Sequence, residues 1–146
     1  MENNIKIEID SNISNIAVVR VAVATFISSL DISIDDLMDI KTALSEAVTN
    51  SIEHGYEHSE GKVIIEAKIK SGVDDVVSII IKDYGIGIGD IELATTPAYT
   101  SKPELEHAGL GFTIMESFMD EVEIDSTLNE GTTIKMTKFI KKKKSI

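Results

Sequence analysis

The chain contains no cysteine, which excludes disulfides and thiolate chemistry. No apolar run approaches the ~20 residues that would span a bilayer. Met1-Glu2-Asn3-Asn4 lacks the basic and apolar regions of a secretion signal, so a cytoplasmic location is expected. Prolines are few: Pro97 and Pro103 both fall between residues 90 and 108. Basic residues are scarce and displaced. All 25 acidic residues precede residue 131, whereas six of the 14 basic ones follow residue 134. An acidic body of this kind repels nucleic acid through its phosphates and suits a basic partner surface. Neither a nucleic acid nor a membrane partner is expected. Internal repeats and linkers are also absent. A length of 146 residues with 42% hydrophobic content fits a single domain over residues 1–140, with 141–146 as a frayed basic tail.

What is present reads as alternating strands and helices. Ile5, Ile7 and Ile9 alternate with Lys6 and Glu8, the pattern of a half-buried strand. Ile16, Val19, Val23, Phe26, Ile27 and Leu30 recur at helical spacing over residues 13–30, with Ser11 or Ser14 as cap. Ser33 and Asp36 form a loose capping box for a second helix that ends near His54 and Gly55. Its packing side is Leu37, Ile40, Leu44, Ala47, Val48 and Ser51. Residues 62–70 and 76–82 form a hairpin, the second strand apolar enough to be central. Residues 90–108 read as a long, mobile loop. Gly109-Leu110-Gly111 then opens a helix, followed by strands from Val122 and over 132–139.

Three features bear on chemistry. Glu46 and Asn50 lie one helical turn apart on one face, at the flank of the packing stripe; alone they are a solvated face or a polar site. The strand at 76–82 runs into Asp83-Tyr84-Gly85-Ile86-Gly87-Ile88-Gly89, which is either a turn or a place where a ligand approaches the backbone. It is neither a Walker loop nor a dinucleotide fingerprint. Gly109-x-Gly111 before a helix is either an N-terminal cap or a phosphate site made from free N–H groups and the helix dipole.

In that order and on those elements, the three features resemble the GHKL ATPase superfamily. Ser45-Glu46-Ala47-Val48-Thr49-Asn50-Ser51-Ile52-Glu53-His54-Gly55-Tyr56 resembles its anti-sigma factor serine kinases. Thr100 to Glu106, Gly109 to Glu116, Phe118 to Val122 and Gly131-Thr132-Thr133 continue the likeness over nearly the whole chain.

The resemblance implies an α+β two-layer sandwich of the Bergerat ATP-binding type, a four-stranded mixed sheet with helices on one face. It implies ATP and Mg2+, with Asn50 as metal ligand and Glu46 as catalytic base toward a serine hydroxyl. Asp83 would accept the adenine amine, with Thr132 beside it. Gly85 and Gly87 would admit the nucleotide, and Gly109, Leu110 and Gly111 would shape the phosphate end. Lys102 is a candidate phosphate contact. One departure stands out: Glu106-His107-Ala108 occupies a stretch where an arginine is expected, and His107 could donate there instead. His54 and His58 are not expected to be phosphoacceptors. The implied partners are an RNA polymerase sigma factor, inhibited by binding, and an anti-anti-sigma protein phosphorylated on serine, in sporulation transcription. A homodimer through the first strand and helix is implied too, with Arg20 and Glu104 as partner contacts. Alternatives are an ATP-switched sigma-binding module with little transfer, a stress-response kinase of the same family, and a histidine kinase fragment, the last disfavoured for want of phosphoacceptor helices.

Overall fold

The computed structural model describes residues 1–57, 59–89, 91 and 103–141, the side chains of 103–109 excepted. Strand β1 (Glu2–Asp10) leads to helices α1 (Asn15–Ile27) and α2 (Ile34–Asn50), a π-helical turn (Ser51–Gly55), and the hairpin β2 (Lys62–Lys70) and β3 (Asp75–Asp83). Helix α3 (Pro103–Phe118) and the hairpin β4 (Glu121–Thr127) and β5 (Gly131–Ile140) complete it.

The expected two-layer α+β architecture is what the chain adopts. Its sheet has five strands rather than four, in the order β1-β2-β3-β5-β4. Each neighbouring pair is antiparallel, so the sheet is not mixed. The reason lies in the connections. The β4–β5 hairpin returns β5 beside β3 with its direction reversed, and β1 closes onto β2 along its full length, Glu2 opposite Lys70 and Asp10 opposite Lys62.

Strand alternation sorts the two faces. Val63, Ile65, Ala67 and Ile69 of β2 and Val77, Ile79 and Ile81 of β3 are buried. They meet Val19, Val23 and Ile27 of α1, Ile40, Leu44, Ala47 and Val48 of α2, and Phe112 and Met115 of α3 in one core. The expected hairpin and the central place of β3 are both present.

Caps follow the sequence in one helix and not in the other. Ser33 Oγ accepts the Asp36 N–H at 3.1 Å, and Asp35 and Asp36 favour that positive helix end. Ser14 makes no cap bond; the Asn12 side chain accepts its N–H instead, at 3.0 Å. At the other end of the helix layer, Lys138 of β5 donates to the Phe118 carbonyl at 2.6 Å. It also pairs with Asp39 at 3.7 Å and Asp36 at 4.0 Å. One buried ammonium thereby ties the end of α3 to the start of α2. No helix among the described residues is long and apolar enough to cross a membrane.

Candidate active site

Helix α2 carries Glu46, half-buried, and Asn50, 7% exposed. Asn50 is more enclosed than a flank position suggests, because α3 lies over it. A methyl group at Gly111 would stand 3.1 Å from Asn50 Nδ2, 3.2 Å from Glu46 Oε2 and 3.4 Å from Asn50 Oδ1. The absent side chain of Gly111 is therefore what leaves room for the carboxylate and the carboxamide beneath α3. Asn50 Nδ2 is buried with no hydrogen-bond partner among the described residues. An orphaned amide at that depth costs about 1–3 kcal/mol, which suits a group reserved for a ligand. Turning the amide over exchanges its oxygen and nitrogen, and its oxygen is a donor atom of the kind a hard cation takes.

Beyond Asn50 the helix widens into the π turn, a feature frequent at functional sites. It brings Ser51 and Gly55 against Asp83 at the end of β3: a methyl group on Gly55 would lie 3.0 Å from the Asp83 carboxyl carbon. Asp83 is 3% exposed. Burial raises its carboxyl above the ordinary value, opposed by the Gly85 N–H, the Ser51 hydroxyl and the Thr132 N–H. Asp83 and Thr132 are cross-strand partners, so their side chains stand side by side on the buried face.

The loop after Asp83 is clamped on both sides. Ile86 N–H donates to the Gly55 carbonyl at 2.8 Å. Tyr84 N–H donates to the Tyr56 hydroxyl at 2.8 Å, and that hydroxyl donates to the Lys62 carbonyl at 2.6 Å. On the other side Asn129 N–H reaches the Ile86 carbonyl at 2.6 Å, and Ile88 N–H reaches Ser126 Oγ at 2.7 Å. The approach is close enough to require glycine twice. A methyl group on Gly85 would fall 1.8 Å from the Gly55 oxygen, and Gly87 has φ +71° with the Thr127 oxygen 2.1 Å from where its Cβ would be.

The structure thus joins Glu46, Asn50 and Gly111 at the C-terminal end of α2, and Asp83, Gly85, Gly87 and Thr132 at the π turn that follows it. Leu110 is on α3 and exposed. Gly109 and Gly111 do not open the helix as expected. Helix α3 starts at Pro103 and runs through both, because proline suits a first helical position and Glu104 and Glu106 suit the first turn. The free N–H groups expected at Gly109-x-Gly111 are therefore not in place. Glu104 and His107 fall in that helix, their side chains outside the described residues; Lys102 and His58 lie outside them altogether. Arg20 is on α1, half-buried beside exposed Val18 and Val21, and takes no part in these contacts. No group of three or more metal-ligating side chains occurs among the described residues.

Sequence reasoning missed Tyr56 and Ser126. Tyr56 stood in the quoted motif without a role. Ser126 carries no signal, since a serine in an edge strand is common and its value lies in contacts across a hairpin.

A family model for the histidine kinase-like ATPase domain matches residues 9–138. A Clostridium kluyveri protein named anti-sigma F factor is 53% identical over 137 residues, 94% of each chain. A Bacillus subtilis protein of the same name is 50% identical over 147 residues, 100% of this chain and 99% of that one. Among solved structures, the RsbU and RsbW domains of a Mycobacterium tuberculosis protein match with a TM-score of 0.64 at 22% identity, over 94% of this chain and 32% of that chain. The histidine kinase domain of a blue-light activated Erythrobacter litoralis protein matches at 0.51 and 12% identity, over 86% of this chain and 59% of that one.

Proposed function

From the premise that this chain belongs to the histidine kinase-like ATPase domain family, we propose that it is an anti-sigma factor and an ATP-dependent protein serine kinase. The observation that carries this is the convergence of Glu46 and Asn50 on Gly111, one π turn from the buried Asp83–Thr132 pair. The Asp83 end takes adenine. Its acceptor atoms match the exocyclic amine, and the glycine loop lets the base reach the backbone. The Glu46 end takes the phosphates and the acceptor serine. The serine oxygen attacks the γ-phosphorus, the bond to the bridging oxygen of ADP breaks, and the hydroxyl proton passes to Glu46. Asn50 is the residue that would hold Mg2+, which when bound takes up phosphoryl charge. Glu46 stays half-buried, open to an incoming hydroxyl.

The relatives' name supports a sigma factor as the inhibited partner and a role in sporulation transcription. By the family resemblance, the serine belongs to an anti-anti-sigma protein. Arg20 is a partner contact on α1, where exposed Val18 and Val21 offer apolar surface, and α1 with β1 forms a homodimer face. Glu104 and Lys102 are assigned to partner and phosphate by the same resemblance. The reading places the protein in the cytoplasm. A second reading, an ATP-switched binding module with little transfer, is favoured by the unbroken helix through Gly109 and Gly111, which withholds phosphate-binding N–H groups.

One assay separates the two. The protein is incubated with labelled ATP, Mg2+ and the serine-bearing antagonist. Serine labelling that disappears in Glu46→Ala, with ATP affinity kept, is the expected result. Absence of labelling with ATP-dependent sigma binding intact selects the switch.

A further inference from the structure

Ser126 makes three contacts with one hydroxyl. It lies 2.7 Å from the Ile88 nitrogen, 3.1 Å from the Gly131 carbonyl oxygen and 2.7 Å from Thr132 Oγ1. A serine hydroxyl has one proton and two lone pairs. The Ile88 N–H can only donate to it, and the Gly131 carbonyl can only accept from it. The serine proton is thereby committed to Gly131, and the third contact is satisfied only if Thr132 is its donor. The opposite assignment, Ser126 donating to Thr132, leaves the Gly131 contact without a proton.

The consequence reaches the candidate adenine pocket. Once Thr132 has given its proton to Ser126, its oxygen has lone pairs alone to offer. Thr132 stands beside the Asp83 carboxylate on the buried face, and an ionised carboxylate also only accepts. Both groups then form an edge that accepts hydrogen bonds and donates none. Such an edge fits a base with an amine at the six position and leaves a carbonyl there facing oxygen lone pairs. Discrimination of this kind is strong because the mismatched partner leaves buried polar groups unpaired.

We infer that Ser126 is a positioning residue: it fixes the Thr132 hydroxyl as an acceptor, so that the Asp83–Thr132 edge takes the amine of adenine and rejects the carbonyl of hypoxanthine or guanine. The inference rests on the proposed nucleotide site and deepens it. It also accounts for Ser126 holding the glycine loop, since the same oxygen accepts the Ile88 N–H.

The test measures Kd for ATP and for inosine triphosphate with Mg2+ on the full chain. The wild type is expected to prefer ATP. In Ser126→Ala, Thr132 is free to turn and donate, and the preference should fall about tenfold, the scale of one hydrogen bond. Ser126→Thr, which keeps the hydroxyl, should restore it. Thr132→Val should lose a similar factor, and adding Ser126→Ala to it should change the ratio no further. An unchanged ratio in Ser126→Ala overturns the inference even if ATP binds more weakly, because a mere loop support lowers both affinities together. Should Ser126→Ala fail to fold, an unchanged ratio in Thr132→Val overturns it. A wild type that binds both nucleotides equally overturns the adenine reading and the inference with it, whereas loss in Asp83→Asn of a preference that Ser126→Ala keeps spares the first and removes the second.

Discussion

Replacing Gly111 with alanine should separate the stability of the protein from its chemistry. Within the helix, alanine is favoured over glycine by about 0.8–1.0 kcal/mol. Against this stand the new methyl group's contacts with Asn50 Nδ2 at 3.1 Å, Glu46 Oε2 at 3.2 Å and Asn50 Oδ1 at 3.4 Å. These are ends of side chains, not backbone, so each yields by a few tenths of an ångström. Turning a side chain ~30° off its preferred rotamer costs about 0.5–1.5 kcal/mol, and the shift needed is smaller than that. The balance is a gain of roughly 0.5 kcal/mol, or a Tm higher by about 1–2 °C in a chain of this size. Chemistry fares worse, because the same shift moves both the proposed base and the proposed metal ligand. Misplacement by 1 Å can cost ~100-fold, so serine phosphotransfer should fall about tenfold. Calorimetry and a single-turnover assay with labelled ATP read the two effects. A Tm drop of more than ~4 °C would refute the helical, yielding environment assigned to Gly111. An unchanged transfer rate would refute the role of the Glu46–Asn50 pair.

Three further outcomes follow from the same packing. Gly85→Ala places a methyl group 1.8 Å from the Gly55 carbonyl oxygen, a backbone atom that cannot swing aside. It should cost at least ~2–3 kcal/mol in urea denaturation, while Gly89→Ala, whose nearest neighbour is Leu128 Cδ1 at 3.9 Å, should be close to neutral. Burial raises the Asp83 carboxyl above its ordinary 3.8, so the native state holds this proton more tightly than the unfolded chain. The stability it contributes is full below that ordinary value and is lost as pH rises through the raised one. Asp83→Asn should therefore gain on the wild type as pH rises above that ordinary value, and denaturation curves showing it lose ground would reverse the sign. Lys138→Met leaves the Phe118 carbonyl without its 2.6 Å donor and Asp36 and Asp39 without their cation. The expected loss is about 2 kcal/mol, seen as a Tm lower by about 4–8 °C, and a drop under 1 °C would show that the tie contributes little.

Much was legible in the chain because the relevant signals are local. Ile5, Ile7 and Ile9 announce β1 by alternation, Ser33 and Asp36 announce the start of α2, and Asp83 followed by spaced glycines marks the end of a buried strand. The pairing of Glu46 with Asn50 is fixed by helical pitch alone. Other features depend on what comes near in space. The start of α3 at Pro103 was not legible, because proline and acidic residues that favour a first helical turn also populate loops, and two glycines at 109 and 111 read more easily as a beginning than as an interior.

The sequence by itself determined the strands, the existence of each helix and which residue types could do chemistry, since propensity and periodicity act between neighbours a few positions apart. Tertiary structure alone decided that Gly111 roofs Glu46 and Asn50, that Gly85 touches Gly55, and that Ser126 meets Thr132. Those contacts come from helices and hairpins brought against one another, where the room for a methyl group or the partner of a hydroxyl is set by the facing surface and has no trace in local sequence.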